Sequence, residues 1–562
     1  MKNWLPTFQM NTRKGVLLPV FYLFLATLIF HGLTLFNNGI FSDGWIGYII
    51  FIEHNFVWMK AVDSAMGLPI DYYIDWVSML LGYGFIINLT GFLSVFIASL
   101  CVYLSLRLFK SISSSIALLA AYVVIIYPGA LTTFFGDVNN NHVCYILFFV
   151  ASYFGLKSQS IGQYNIFSIA LRVGSLLLFF ISFFLKSLLC YYAVFFAALY
   201  CLSIRDRKIL SFRANMKFLL RTLDFFILPF LFFVIVSVFF PAHGVYAGYN
   251  TIAFPGYFLF IYWHLHSFFN IIFFSWVVDC LYVLFLIAGV VWVLLKQIPV
   301  SVIMNLMKRP LTDKWFFPYG VLLIVGFVAL WMAVFPYIMV HIVVDSTRAI
   351  GTSHYSLLVP SAMAILFAGI WGLWFQNSDG RITSVGKIIF VALALVYGIF
   401  WYRGYLQLSA ESALQKTLIK QFQKHPGWGN YSIYWIRIYF DGVQPVYSGY
   451  EWSGILSYVY GGHSRYGESY KSRQTYNSVY WDKTFTPLVR QLYNIEKWDE
   501  NGCQATIKII PLSEGKNPYV IGSLYLYYRL LDKKQLSSFL DHLMQVEVRP
   551  YQSIEATHCK KV

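Results

Sequence analysis

The chain has 562 residues, of which 59% are hydrophobic, 20% aromatic and 12% charged, with a formal net charge of +16. A single soluble globule cannot bury so much apolar surface, so the composition excludes an all-soluble protein and requires a membrane domain joined to an extramembrane one. The basic excess is spread over alternating loops rather than gathered with aromatic residues in one stripe, which excludes a nucleic-acid footprint.

An α-helix rising 1.5 Å per residue needs about 20 apolar residues to cross a hydrocarbon core of about 30 Å. By that measure helices are predicted near 16–36, 79–106, 112–134, 142–156, 166–185, 187–203, 223–240, 270–295, 316–336, 355–376 and 388–405. The first is too long, and too poorly followed by small residues, to be a cleaved signal peptide. Lys2, Arg13 and Lys14 precede it. Arg107 and Lys110 follow the second span, and Arg205, Arg207, Lys208, Arg213, Lys217 and Arg221 crowd a later loop. Lys296, Lys308, Arg309, Lys314, Arg381 and Lys387 continue the series. The intervening loops hold chiefly Lys60, Lys186 and Arg348. The positive-inside bias then predicts a cytoplasmic N-terminus, and an odd number of spans puts the tail outside. The expected organisation is a transmembrane domain over 1–405, with an interfacial external loop at 37–78, and an extracytoplasmic domain over 406–562.

The external loop after the first span leaves the apolar run at Ser42-Asp43-Gly44, continues with Glu53, His54, Lys60, Asp63, Asp71 and Asp75 among Trp58, Met66 and Trp76, and predicts helices lying in the membrane plane. Asp43 is either a helix N-cap or a functional carboxylate, because a charge beside so much apolar surface is costly unless paired or used. After the third span, Gly136-Asp137-Val138-Asn139-Asn140-Asn141-His142 forms a polar turn. Its oxygens are hard ligands for a divalent cation such as Mg or Mn, with Asp137 and Asn139 as the candidate ligands, and are equally ordinary turn formers.

Further along, Arg348 in Asp345-Ser346-Thr347-Arg348 can fork onto a phosphate or pair with Asp345, and Lys186 at a tight outer turn can bind phosphate or snorkel. His264 and His266 lie in an aromatic outer loop at a spacing that does not share a helical face, so interfacial packing is favoured over zinc. His354 follows the Arg348 segment.

The tail predicts a small α/β domain. Gln407 to Lys424 reads as an amphipathic helix, Ala505 to Ile510 and Tyr519 to Tyr528 as strands, and Asp532 to Met544 as a helix. Its Tyr and Trp residues suit either a sugar-stacking platform or a belt resting on lipid headgroups. Of seven cysteines, Cys503 and Cys559 alone fall in the tail, where they are either bridged or free.

This layout resembles the C-type (GT-C) membrane glycosyltransferases: a cytoplasmic N-terminus, a long first external loop with an acid just after the first helix, a second acid after the third, and a C-terminal external domain. Asp43 matches the first acidic position and Asp137 the second. Here Asp43 stands alone and Asp137 is followed by amides. The resemblance implies transfer of a sugar from a polyprenyl-phosphate carrier to a surface glycan, lipid or protein in a bacterial inner membrane, with inversion at the anomeric carbon. In it Asp43 would be the base and Arg348 and Lys186 would hold the donor phosphate. Glu53, His54, Asp63, His264, His266 and His354 would contact substrate, and a divalent cation is the cofactor it would take. The other readings are a transporter or flippase of lipid-linked glycans, a glycan polymerase or ligase, and a non-catalytic scaffold. No internal repeat of the kind many transporters carry is seen.

Overall fold

The computed structural model describes residues 14–127, 139–272, 316–374, 380–438, 449–469 and 503–550, less the short stretches 38, 42–43, 55, 162–164, 205–211, 248–256, 343, 345–352, 432, 462–465 and 513–516. Helices stand at ten of the eleven expected spans: α1 (Lys14–His31), α5 (Tyr83–Arg107), α6 (Ser114–Ile126), α7 (Asn139–Ile161), α8 (Ile166–Ser182), α9 (Ser187–Ile204), α11 (Leu223–Phe239), α13 (Phe316–Ile338), α14 (Val359–Trp374) and α15 (Gly380–Lys424). The eleventh, 270–295, lies almost wholly outside the described residues. Among the described residues, four helices are long and apolar enough to cross a membrane, and five shorter apolar ones stand with them. The chain is a membrane protein. Their inner faces form one continuous core in which small residues such as Ala98, Ala117, Ala329 and Ala362 are fully enclosed, while outward faces such as Phe226, Phe230 and Phe233 of α11 stay exposed, as a lipid-facing surface requires.

Several polar groups inside this core are paired. His31, at the end of α1, lies between the Tyr405 hydroxyl (2.9 Å) and the Ile125 carbonyl (2.8 Å). The Trp401 indole donates to the Ile126 carbonyl. Arg172 of α8 forms a bidentate pair with Asp224 at the start of α11.

The segment between α1 and the next apolar helix folds as three short helices, α2 (Gly44–Glu53), α3 (Phe56–Met66) and α4 (Pro69–Leu80). The remaining helices before α13 are α10 (Phe212–Arg221) and α12 (Tyr257–Ile272).

Domain 406–562 does not begin with a new element. The predicted span at 388–405 and the predicted amphipathic helix at 407–424 are one helix, the 45-residue α15. At 1.5 Å per residue it is about 68 Å long, more than twice the hydrocarbon thickness. No proline interrupts it, and a change from apolar to mixed composition is not a helix stop. Its outer half carries Ala410, Ala413, Leu414, Leu418 and Phe422 into the core of the tail.

Around that spine the tail is built from β1 (Ile433–Ile438), α16 (Gly449–Tyr460), β2 (Tyr466–Ser469), β3 (Gln504–Pro511), α17 (Pro518–Leu530), α18 (Lys533–Asp541) and β4 (Met544–Pro550). The sheet has the order β2-β1-β3-β4, parallel except for the antiparallel β3–β4 pair. Alternate residues Ala505, Ile507 and Ile509 of β3 point into the core.

Two predicted elements are corrected. Tyr519 to Tyr528 is helical, because the Asn517 side chain caps the amides of Tyr519 and Val520 and Pro518 occupies the first turn. The predicted helix over 532–544 stops at Asp541, and Met544 already opens β4. Cys503 is disulfide-bonded, and Cys559 lies outside the described residues.

The tail is clamped to α15 through α17. Gly522 lies against the Leu406 backbone so closely that a Cβ there would sit 1.9 Å from the carbonyl oxygen. Gly522→Ala must push the two helices apart, at a cost of about 1–3 kcal/mol. A lower melting temperature of the purified protein in detergent is expected, and an unchanged one would contradict this packing.

Candidate functional site

The short helices after α1 are held in place by the turn between α3 and α4. Gly67 has φ +72°, and a Cβ at this position would lie 2.7 Å from the Phe240 carbonyl oxygen, so both the left-handed backbone and the close approach call for glycine. The amide of His243 donates to the Ala65 carbonyl at 2.9 Å and that of Leu68 to the Asp63 carbonyl at 2.9 Å. The α3–α4 hairpin is thereby docked on the segment that follows α11.

Pro69 starts α4, and Asp71, Asp75 and Ser78 follow at i, i+4 and i+7, on one face. That face meets the first turn of α7. The Asn139 amide donates to the Ser78 hydroxyl at 2.9 Å, and the Asn140 side chain hydrogen-bonds both the Asp71 and Asp75 carboxyls. Asp63, on α3, is buried within electrostatic reach of both acids. Three carboxyls from α3 and α4 thus converge with two amides from the first turn of α7. The positive end of the α7 dipole adds to the attraction.

Burial dominates the electrostatics. It pushes the Asp63 carboxyl up to about 8, with the charges of Asp75 and Asp71 adding to the shift. Burial and the Asp75 charge raise Asp71 to about 7, and burial raises Asp75 to about 7, the Asn140 hydrogen bond opposing the rise in both. Like charges this close do not readily ionise together, so all three carboxyls are raised toward neutral pH. Three of its oxygens, Asp63 Oδ2, Asn139 Oδ1 and Asn140 Oδ1, are buried without a hydrogen-bond partner.

Of the residues singled out from sequence, Asp63 and Asn139 are brought into this one cluster. Asp43, Asp137 and Arg348 lie outside the described residues. The Gly44 amide donates to the Phe41 carbonyl. Glu53 ends α2. His54 follows with φ +52°, an uncommon backbone for a side-chain-bearing residue, and its exposed ring stacks with Phe56. Lys186 is exposed at the turn between α8 and α9. His264 is buried on α12, with Nδ1 at 2.8 Å from the Phe260 carbonyl and its ring stacked on Trp331, while His266 is exposed beside Tyr262. His354 falls in a short 3₁₀ turn, Ser353–Ser356.

Asp71 and Asp75 carry more of the cluster than sequence reading assigned to them; their i, i+4 spacing was the available signal. A second acid pair escaped notice. Glu411 of α15 and Glu451 of α16 are both buried in the tail, and burial, with a contribution from Glu451, pushes Glu411 up to about 8. Among the described residues, no group of three or more His, Cys, Asp or Glu side chains is arranged to hold a metal ion.

No family model, curated protein or solved structure matches the chain.

Because the three aspartates bind protons more tightly when folded than when unfolded, they make the folded chain lose stability as pH rises from about 4 to about 8. Asp75→Asn removes one of these charges with little change of shape. Its melting temperature should exceed that of the wild type by about 2 °C at pH 8 and match it near pH 4. A lower value at pH 8 would mean that the carboxylate is held ionised by a compensating partner.

Proposed function

We propose that the chain is a membrane glycosyltransferase that moves a sugar from a polyprenyl-phosphate donor to an extracytoplasmic glycan, lipid or protein, with inversion at the anomeric carbon. The observation that supports it most is the junction of α3 and α4 with the first turn of α7. There, carboxyls raised toward neutral pH, between the first and second apolar helices, meet amides just after the third such helix, at the edge of the apolar bundle. In this reading the N-terminus is cytoplasmic, the tail is extracytoplasmic and the protein resides in a bacterial inner membrane.

In the proposed step the acceptor hydroxyl loses its proton to a carboxylate as its oxygen bonds to C1 of the sugar from the face opposite the leaving group. The bond between C1 and the phosphate oxygen breaks, and its electron pair stays with the polyprenyl phosphate. Asp43 is the candidate base, and the Asp63, Asp71 and Asp75 group, titrating near neutrality, is suited to take the proton onward. Arg348 and Lys186 are the candidate partners of the departing phosphate. Glu53, His54, His264, His266 and His354 remain candidates for substrate contact. Hard oxygens without partners on Asp63, Asn139 and Asn140 fit a divalent cation such as Mg or Mn in chemical type, with Asp137 as the further candidate ligand. When bound, such an ion would supply positive charge opposite the phosphate.

The test is transfer from a panel of radiolabelled polyprenyl-phosphate sugars by purified protein, with and without EDTA. Asp43→Asn is expected to abolish transfer, and Asp71→Asn or Asp75→Asn to lower kcat about 100-fold. Loss of transfer in EDTA would place a cation in the reaction. Full activity of Asp43→Asn, or no turnover with any donor in the presence of crude acceptor glycans, would overturn the proposal.

A further inference from the structure

The outer surface of α15 carries an apolar stripe. Val391, Leu395, Ile399 and Tyr402 are all exposed, and their spacing of four, four and three places them on one side of the helix, with the buried Trp401 and Tyr405 on the flanking face. In a membrane-crossing helix such a stripe faces lipid. One turn beyond Tyr402 the same side reaches Leu406, where α17 takes over, its Gly522 pressed onto the Leu406 backbone. α17 therefore leaves the bundle on its lipid side, at the level where the apolar stripe ends, and overhangs bilayer rather than protein.

Both ends of α17 are tied at this level. Tyr519, in its first turn, lies under the Arg403 guanidinium at 5.1 Å, and its hydroxyl accepts from Arg403 Nη2 at 3.0 Å. In its last turn Arg529 donates to the Phe36 carbonyl, in the 3₁₀ turn that follows α1. The helix thus runs between the outer ends of two apolar helices. Ile521, Gly522 and Tyr525 are turned inward, and Val520, Tyr527, Leu530 and the capping Leu531 are exposed on the remaining surface. A solvated helix has no reason to show large apolar side chains at this spacing, whereas a helix lying at a headgroup boundary needs them, with Tyr and Arg beside them.

We infer that α17 is an interfacial anchor: its Val520, Tyr527, Leu530 and Leu531 face rests in the outer boundary of the bilayer and holds the tail domain down on the lipid surface. Together with Gly522 it fixes the tail over the membrane edge of α15, so the domain cannot swing freely on its long helix. The partner is the lipid surface itself. A second copy of the chain covering the same face is the rival occupant.

The experiment uses the full-length protein reconstituted in vesicles of phosphatidylethanolamine and phosphatidylglycerol. Nitroxides are attached singly through Leu395→Cys, Tyr527→Cys, Leu531→Cys and Lys534→Cys, and the unsubstituted protein labelled in parallel supplies the background. Paramagnetic relaxation compares accessibility to oxygen, which concentrates in lipid, with accessibility to a water-soluble nickel chelate. Labels at 395, 527 and 531 are expected to favour oxygen, and the label at 534, exposed at the start of α18, to favour nickel. Oxygen preference at 395 with nickel preference at 527 and 531 would overturn the anchor while leaving the membrane helix standing. Nickel preference at 395 would remove its foundation. Dipolar broadening between labels at 527 would assign the face to a second copy and overturn the lipid reading.

Discussion

Unbroken backbone hydrogen bonding along α15 is the constraint on which the rest of the protein depends. A long helix without proline curves gently rather than kinking sharply, so the membrane bundle and the tail share one continuous axis. Its inner half packs against α1 and α6 through Trp401 and Tyr405. Its outer half receives the chain again: Gln415 accepts from the Ile40 amide at 3.1 Å and donates to the Ile40 carbonyl at 2.6 Å, and Ser412 donates to the Asn37 side chain. Asn37 and Ile40 are thus strapped to the same helix that carries the tail, and fully buried Trp45 is pressed against Gly454 of α16.

From that fixed start, α2, α3 and α4 lead to the acid cluster. Burying carboxyls beside one another is unfavourable and raises all three toward neutral pH, while the Asn140 side chain opposes the rise in Asp71 and Asp75. Stability is given up at a place where two loops and the ends of several apolar helices meet, which is where a membrane protein can bring water, lipid and polar chemistry together. Arg172 and Asp224 form the contrasting case, an acid paired bidentately to a guanidinium.

Sequence made the apolar helices legible because an uninterrupted apolar run has few other structural solutions, and it made the half-apolar loop at 37–78 legible as short helices. It did not reveal that α15 continues through the composition change near 405, since polarity marks where lipid ends and not where a helix does. Tyr519 to Tyr528 misled because a Tyr-rich, half-apolar segment fits a strand as well as a helix, and the deciding evidence was two residues upstream, in Asn517 and Pro518. Asp63 and Asn139 were chosen for different reasons and turned out to share a site, while Asp71 and Asp75 were seen only as charges in a loop. Which way α4 faces is set by the Gly67 turn and its contact with Phe240, a tertiary fact that no local pattern contains.

Whether the three aspartates hold protons at neutral pH is the most direct question to put to this structure. Infrared difference spectroscopy of the purified protein across pH 5 to 9 reads the carbonyl stretch of protonated carboxyls, and subtraction of an Asp63→Asn, Asp71→Asn, Asp75→Asn variant isolates this group from Glu411. The account predicts a protonated-carboxyl band, absent from the variant, that disappears as pH is raised through about 7 to 8. Spectra of wild type and variant that coincide in that region at every pH would show the aspartates ionised throughout and would contradict it.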